Sequence, residues 1–423
     1  MRRFAVPVLS VLGVLAPVAF VPGAIGQPAS PQPHEPTPAP QRPAPAPQQP
    51  ALPEAPPDAA LIAHDVSALL EPIRAKHDVP ALAACLVSGE TVTMIGASGV
   101  REANGNDPAT VDDLWHIGSC AKAITATLCA VLVEEGRLTW GSTPADVFPE
   151  LAPDMHESWR KVTLRHLVTH RGGVVANATG ALGTRLARSN EPPHVQRRLL
   201  VEALTQAPTA SPPGTSHEYS NVGYAIAGAM CERAAGEPYE SLVRRRVLSP
   251  LGADRVGFGA PGLRGVVSQP RGHTGPRTPV QPGHGADNPP WIAPAGGLHM
   301  PLRDWARFIA LHLRGNAQNP SRAERLISRE SFDLLHTPDA GEYAGGWGRG
   351  SRPWAGGVVL THAGSNTMWF CVVWVAPKRD FAVLACTNIG GDAGAKAADE
   401  AVGALIQRHL ASNADAARDA GGK

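Results

Sequence analysis

Strand-like text stands at both ends of the folded part of this chain, and nearly everything between is helical. ALAACLVSGETVTMIGASG (81–99) reads as two strands around a Ser-Gly-Glu turn. Far downstream, VVLTHAG, WFCVVWVAP and FAVLACTN (358–388) give three strands joined by short turns such as Lys378–Asp380. Between these ends, helical periodicity dominates over 120–136, 163–170, 195–206, 222–235 and 238–247. Strands that bracket helices imply one sheet built from both chain ends, with a helical lobe inserted and a cleft between the two parts. The expected fold is therefore α/β (α+β): an antiparallel sheet flanked by helices, with a mainly helical lobe over about 119–290.

This domain is expected over 59–411. It opens on the periodic DAALIAHDVSALLEPIRAKH and closes on a helix over 392–411, leaving 412–423 as a disordered tail. Residues 259–297, rich in Pro and Gly, read as a long irregular loop that shapes the pocket. PLRDWARFIALHLRG then returns to helix, with Pro301 suited to a first turn.

Ahead of the domain, Arg2 and Arg3 precede a long apolar run, and Ala24 and Gly26 supply a small-x-small cleavage pattern. That reads as a signal peptide over 1–26, exporting the protein to the periplasm or beyond. The competing reading is an uncleaved membrane anchor, which Pro7, Pro17 and Pro22 weaken. Residues 27–57 are almost all Pro, Ala and Gln and form an extended spacer.

With 43% hydrophobic residues in 423, the chain can bury a substantial core, and a net charge of +1 favours neither nucleic acid nor an anionic membrane. The six cysteines (85, 120, 129, 231, 371 and 386) lie mostly in apolar or helical text without Cys-x-x-Cys spacing, so mostly free thiols are expected rather than disulfides or zinc.

Chemistry concentrates first in HIGSCAKAITATLCAVLVEEGRL (116–138). If a helix opens at Ser119, Lys122 lies one turn on and on the same face. An amine with a depressed pKa can take the serine proton, and the helix start offers N–H groups to an oxyanion. Cys120, rotated roughly 100° away, points into packing. Alone, Ser-x-x-Lys is weak evidence and fits a capping serine followed by an ordinary surface lysine better than a catalytic pair. Next comes PPGTSHEYSNVGYAIAG, where Tyr219 beside a cation could act as a phenolate-like base and Asn221 could bond a substrate amide. The third piece is the strand THAGSN, in which Gly364 lets substrate approach the backbone and Ser365 offers an N–H to an oxyanion.

Ser-x-x-Lys, Tyr-x-Asn and a cation-x-Gly strand, in this order, resemble the penicillin-recognising serine hydrolases. The likeness is greatest to their class C β-lactamase, D-Ala-D-Ala carboxypeptidase and esterase branch. It extends over 65–410 through VTLRHLVTHRGG, PAGGLHMPLRDWARFIA and AVLACTN. The resemblance implies Ser119 as the acylated nucleophile, Lys122 as its proton-transfer partner and Tyr219 as general base and acid. It also implies Asn221, His362, Gly364 and Ser365 as substrate contacts, with the N–H groups of Ser119 and Ser365 as oxyanion donors. Neither metal nor cofactor is implied; the partner is a small-molecule or peptide substrate.

His362 departs from the lysine usual in antibiotic-hydrolysing members, and a mostly neutral imidazole attracts a carboxylate less. The implied activity is hydrolysis of an ester, amide or peptide, with cell-wall D-amino-acid peptides and β-lactams as candidates. A catalytically silent or slowly deacylating penicillin-binding sensor is the alternative. His166 and His170 have zinc-pair spacing but lack the metalloprotease Glu, and His273, His284 and His299 read as solvated loop residues.

Overall fold

The computed structural model describes residues 63–283, 285–315 and 326–421, so the expected signal peptide and spacer lie outside the described residues. The strands are β1 His64–Asp65, β2 Ala81–Ser88, β3 Thr91–Gly99, β4 Trp115–His116, β5 Gly257–Phe258 and β6 His273–Gly275. They continue as β7 Thr278–Pro279, β8 Leu298–Met300, β9 Gly348–Arg352, β10 Gly357–Ser365, β11 Phe370–Ala376 and β12 Phe381–Thr387. Seven of them form one sheet in the order β1-β3-β2-β12-β11-β10-β9. The pairing of β2 with β12 (Ala84 opposite Ala385) joins the N-terminal hairpin to the C-terminal strands, as a chain with strands at both ends requires. The sheet is antiparallel except at its edge, where the two-residue β1 runs parallel to β3. That departure from an all-antiparallel sheet was not signalled, because so short a strand has no periodicity to read.

Both faces of the sheet are covered, so β2 and β12 are apolar up to their last residues, Ser88 and Thr387, rather than alternating. Side chains still alternate in direction. Cys85, Leu384 and Cys386 belong to the core shared with the helical lobe. On the opposite face, Phe381 stacks on His409 at 4.6 Å.

The helices are α1 Ser67–Lys76, α2 Ala121–Glu134, α3 Pro144–Val147, α4 Leu164–Val168, α5 Gly180–Ala187 and α6 Pro193–Thr205. After them come α7 Asn221–Ala235, α8 Tyr239–Leu242, α9 Ala293–Gly296, α10 Leu302–Arg314, α11 Arg329–His336 and α12 Gly391–Gly421. Helix α2 is buried along nearly its whole length, from Ala121 to Leu132, which explains its all-round apolar sequence. Packed against it, α7 forms the other wall of the cleft.

Helix α12 runs to Gly421, which corrects the expected stop at 411 and the disordered tail after it. The text SNADAARDA contains neither Gly nor Pro and is rich in the best helix former, so nothing ends the helix sooner. Among the described residues, no helix is long and apolar enough to cross a membrane.

Candidate active site

Ser119 lies in a single 3-10 turn, Gly118–Cys120, that feeds directly into α2. Gly118 makes this turn with φ +47°, and a β-carbon there would sit 2.5 Å from the backbone nitrogen of Ser365. Both the turn and the close approach therefore require glycine. One turn on, the fully buried Lys122 points its Nζ at Ser119 Oγ, 3.1 Å away. Its other contacts are Asn221 Oδ1 at 2.8 Å and the carbonyl of Ala295 at 2.7 Å.

None of these partners is a carboxylate, and burial holds the Lys122 amine well below its ordinary pKa. A neutral amine has two hydrogens and one lone pair. The two carbonyl oxygens take the hydrogens, which leaves the lone pair facing the Ser119 hydroxyl. The spacing read from sequence thus becomes a direct amine–hydroxyl contact. Cys120 turns away as expected: its thiol donates to the carbonyl of His362 at 3.4 Å and lies 3.5 Å from Cys371 Sγ. All six thiols are free and buried.

Tyr219 and Asn221 arrive at the mouth of α7. The cap of this helix is Ser220, whose Oγ accepts the Gly223 N–H at 2.8 Å, so Asn221 is released to face the cleft. Asn177 Oδ1 holds the Asn221 amide group at 2.9 Å and fixes which end meets Lys122. The Tyr219 ring lies under Lys122, with Nζ 4.7 Å from the ring centre, and Ser119 is close enough to act on its phenol. Burial pushes the Tyr219 phenol up from its ordinary pKa, with Ser119 only partly opposing it. Burial thus acts against the phenolate expected from sequence, as it acts against the charge of the Lys122 amine beside it.

The third segment is the end of β10. Strand β9 pairs only with Gly357–Thr361, so the edge of His362–Ser365 facing α2 carries no neighbouring strand. The Ser119 turn packs on the face of this stretch: a β-carbon on Gly364 would lie 2.2 Å from the Ile117 carbonyl and 2.8 Å from the Ser119 nitrogen. The Ser365 hydroxyl is turned away, donating to the Trp369 carbonyl at 2.6 Å. What the strand brings to Ser119 is backbone.

His362 is buried, and its Nδ1–H donates to the carbonyl of Ala363 at 2.7 Å. Its Nε2 is then free to accept from the Tyr343 hydroxyl at 3.1 Å. Burial, with some help from nearby Lys122, lowers the imidazole to about 3, so it carries no charge at neutral pH.

The sequence expectations missed Tyr343, which sits in a Gly-rich turn (GEYAGGWG) without a motif to mark it. His170, raised there only as half of a zinc pair, instead stacks on Tyr219 at 4.2 Å and on Tyr343 at 4.7 Å. The loop histidines are also corrected. His273 is buried between the Asn388 carbonyl (2.8 Å) and the Ala103 N–H (3.0 Å), and His299 bonds the Gly259 carbonyl at 2.7 Å. They fasten the loop, since a long segment with only the short β6–β7 ladder needs side chains to satisfy much of its backbone. His284 lies outside the described residues.

Comparison with known proteins follows the same lines. The beta-lactamase family matches residues 66–408. Penicillin-binding protein 4 of Amycolatopsis lactamdurans is 30% identical over 333 residues, which is 75% of this chain and 83% of that protein. Esterase EstB of Burkholderia gladioli is 28% identical over 247 residues, 54% of this chain and 62% of the esterase. Among solved structures, the octameric penicillin-binding protein homologue from Pyrococcus abyssi aligns with a TM-score of 0.62 at 21% identity, covering 79% of this chain and 75% of that one. The D-alanine carboxypeptidase AmpC from Burkholderia cenocepacia gives 0.59 at 20% identity, with 77% and 95% covered. At such identities the structural likeness speaks for the fold. The family match across 66–408, joined by a relative at 30% identity, makes this chain a member of the beta-lactamase family, the serine hydrolases built on the β-lactamase fold.

Proposed function

We propose that this chain is an exported serine hydrolase that works through an acyl-enzyme on Ser119. The observation that carries the reading is the contact between Ser119 Oγ and an amine with no anionic partner, 3.1 Å apart. In the proposed sequence, Lys122 Nζ takes the Ser119 proton as Oγ bonds to the substrate acyl carbon. The resulting oxyanion is met by the N–H groups of Ser119 and Ser365. The new ammonium lies over the Tyr219 and Tyr224 rings, whose faces stabilise a cation. Its proton passes by way of the Tyr219 hydroxyl to the departing alcohol or amine. Water then attacks the acyl-enzyme with the same groups acting in reverse. Asn221 aligns the amine and, on its substrate side, the acyl group.

The substrate class follows from charge. Where a substrate carboxylate would be met, the site carries His362, which is neutral and engaged by Tyr343. Uncharged esters and amides suit that surface better than D-amino-acid peptides or β-lactams, which bring a carboxylate. The esterase and penicillin-binding relatives support hydrolysis as the reaction class. Export rests on the Arg2–Arg3 start and the apolar run that follows it.

The test is to expose the purified protein to a fluorophosphonate probe and to p-nitrophenyl butyrate, nitrocefin and a D-alanyl-D-alanine peptide. Ser119-dependent labelling and ester turnover, both lost in Ser119→Ala, are expected. Turnover that survives Ser119→Ala defeats the mechanism, and stable labelling without turnover would make the protein a sensor.

A further inference from the structure

We propose that Asp287, on the long loop between β5 and β8, is a positioning residue that holds both backbone oxyanion donors in register. The inference rests on the serine-hydrolase reading above and concerns what fixes the geometry that reading needs. One carboxylate oxygen of Asp287, Oδ2, accepts a hydrogen bond from His116 Nε2 at 2.9 Å. On its other side, His116 Nδ1 accepts the N–H of Gly118 at 3.2 Å. An accepting Nδ1 puts the ring proton on Nε2, so this arm runs without a break from the carboxylate to the residue before Ser119.

The second oxygen, Oδ1, accepts from Asn366 Nδ2 at 2.8 Å and from the Asn288 N–H at 2.7 Å. Asn366 immediately follows Ser365, and its own Oδ1 is fixed by the Met368 N–H at 3.2 Å. Each arm therefore ends one residue from a proposed oxyanion donor. His116, Asn366 and the Asp287 side chain are all buried, so water does not compete for these bonds.

The placement matters because no strand pairing joins the two donors. Pairing with β9 stops at Thr361 of β10, and Ser119 sits in a turn rather than a strand. Backbone donors must hold their positions to roughly 0.5 Å to act on a transition state. A single acceptor shared by both segments supplies that register. Asp287 touches neither the nucleophile nor the reacting carbon, so its action is through His116 and Asn366.

Asp287→Asn tests this while preserving shape. The amide presents one acceptor and one donor, so it can satisfy His116 but opposes the Asn366 amide. Adding Asn366→Asp reverses the polarity of that second arm and restores the His116 and residue-366 bonds, leaving only the Asn288 N–H without its side-chain acceptor. With p-nitrophenyl butyrate, Asp287→Asn is expected to lower kcat about 10- to 100-fold, less than or equal to deletion of an oxyanion donor, with KM changed less than about two-fold. The inhibition constant of phenylboronic acid, whose serine adduct mimics the tetrahedral state, should rise by the same factor as kcat falls. The double variant should recover most of both.

An unchanged kcat, a loss confined to KM, a loss of kcat without weaker boronate binding, or a double variant no better than the single would overturn the inference. Should Asp287→Asn not fold, Asn366→Ala cuts the second arm alone, and an unaffected kcat there overturns it equally. A wild type without Ser119-dependent turnover would defeat the hydrolase reading itself. An active wild type beside an unaffected Asp287→Asn defeats only this inference.

Discussion

Lys122 and Arg197 are the two most deeply buried cationic side chains among the described residues, and they meet opposite fates. Arg197, on α6, has a side chain with no exposed surface, yet burial does not strip its charge. Glu232 lies at 2.6 Å and Glu240 at 3.0 Å, and together they outweigh desolvation and raise the guanidinium above its ordinary pKa. Lys122 is equally buried but faces only neutral oxygens, so burial lowers it well below its ordinary value. The difference lies in the partners, not the depth. Carboxylates on α7 and α8 turn one into a structural tie, while the other, held by an amide and a carbonyl, has its charge opposed by burial.

The largest test exchanges the two chemistries. Lys122→Arg puts into the neutral pocket a group that cannot be deprotonated in a protein. Loss of proton transfer should lower kcat on p-nitrophenyl butyrate by about 10³-fold, within the range for removal of a general base. Lys122→Ala, which removes bulk and charge together, should lose as much. If either variant kept a tenth of the wild-type rate, the amine would not be the base. In the wild type the neutral amine is the active form, so kcat should be flat through neutral pH and fall as acid protonates it.

The reverse test acts on stability. Arg197→Met leaves Glu232 and Glu240 facing each other without their cation, and breaking a buried pair in this way costs about 3–5 kcal/mol. Urea denaturation should show that loss, while kcat per folded molecule stays within about two-fold of wild type, since Arg197 lies outside the cleft machinery. A kcat loss matching that of Lys122→Arg would mean the two sites are not separable.

How much of this contrast could be read in advance depends on distance along the chain. The Ser119–Lys122 pair is local: a spacing of three on an apolar helix brings the groups together whatever the rest does. The depressed amine was half legible, because its neighbours Ala121, Ala123 and Ile124 announce burial but do not say that Ala295 and Asn221 supply its partners. The long-range pieces left no trace. Tyr343 meets His362 only because β9 and β10 pair, and His170 reaches Tyr219 through a backbone at φ +57° that a histidine seldom adopts. The Pro/Gly-rich loop read as irregular, and its path is so apart from the β6–β7 hairpin and α9; its anchors, His273, His299 and Asp287, are single polar residues whose burial no composition reveals. Tyr219 shows the limit in another form: its neighbour was correctly supposed, but the charge of that neighbour depends on the same burial that governs Tyr219.

The smallest test adds a third case to the pair, an ionisable group with burial and no partner of either kind. Asp399 of α12 is half-buried, and no cation or N–H donor pairs with its carboxylate among the described residues. Burial alone raises it from 3.8 to about 6. A carboxyl whose pKa is raised on folding favours the fold while protonated, and that advantage is lost as pH climbs through about 6. Asp399→Asn removes the charge at every pH. It should leave the melting temperature unchanged near pH 4 and raise it at pH 8, by the equivalent of about 1 kcal/mol, because water still screens a half-exposed group. Calorimetry at the two pH values reads the difference directly. Equal melting temperatures at pH 8 would mean that partial exposure already relieves the carboxylate. The contrast between Arg197 and Lys122 would then apply only to groups buried as completely as those two.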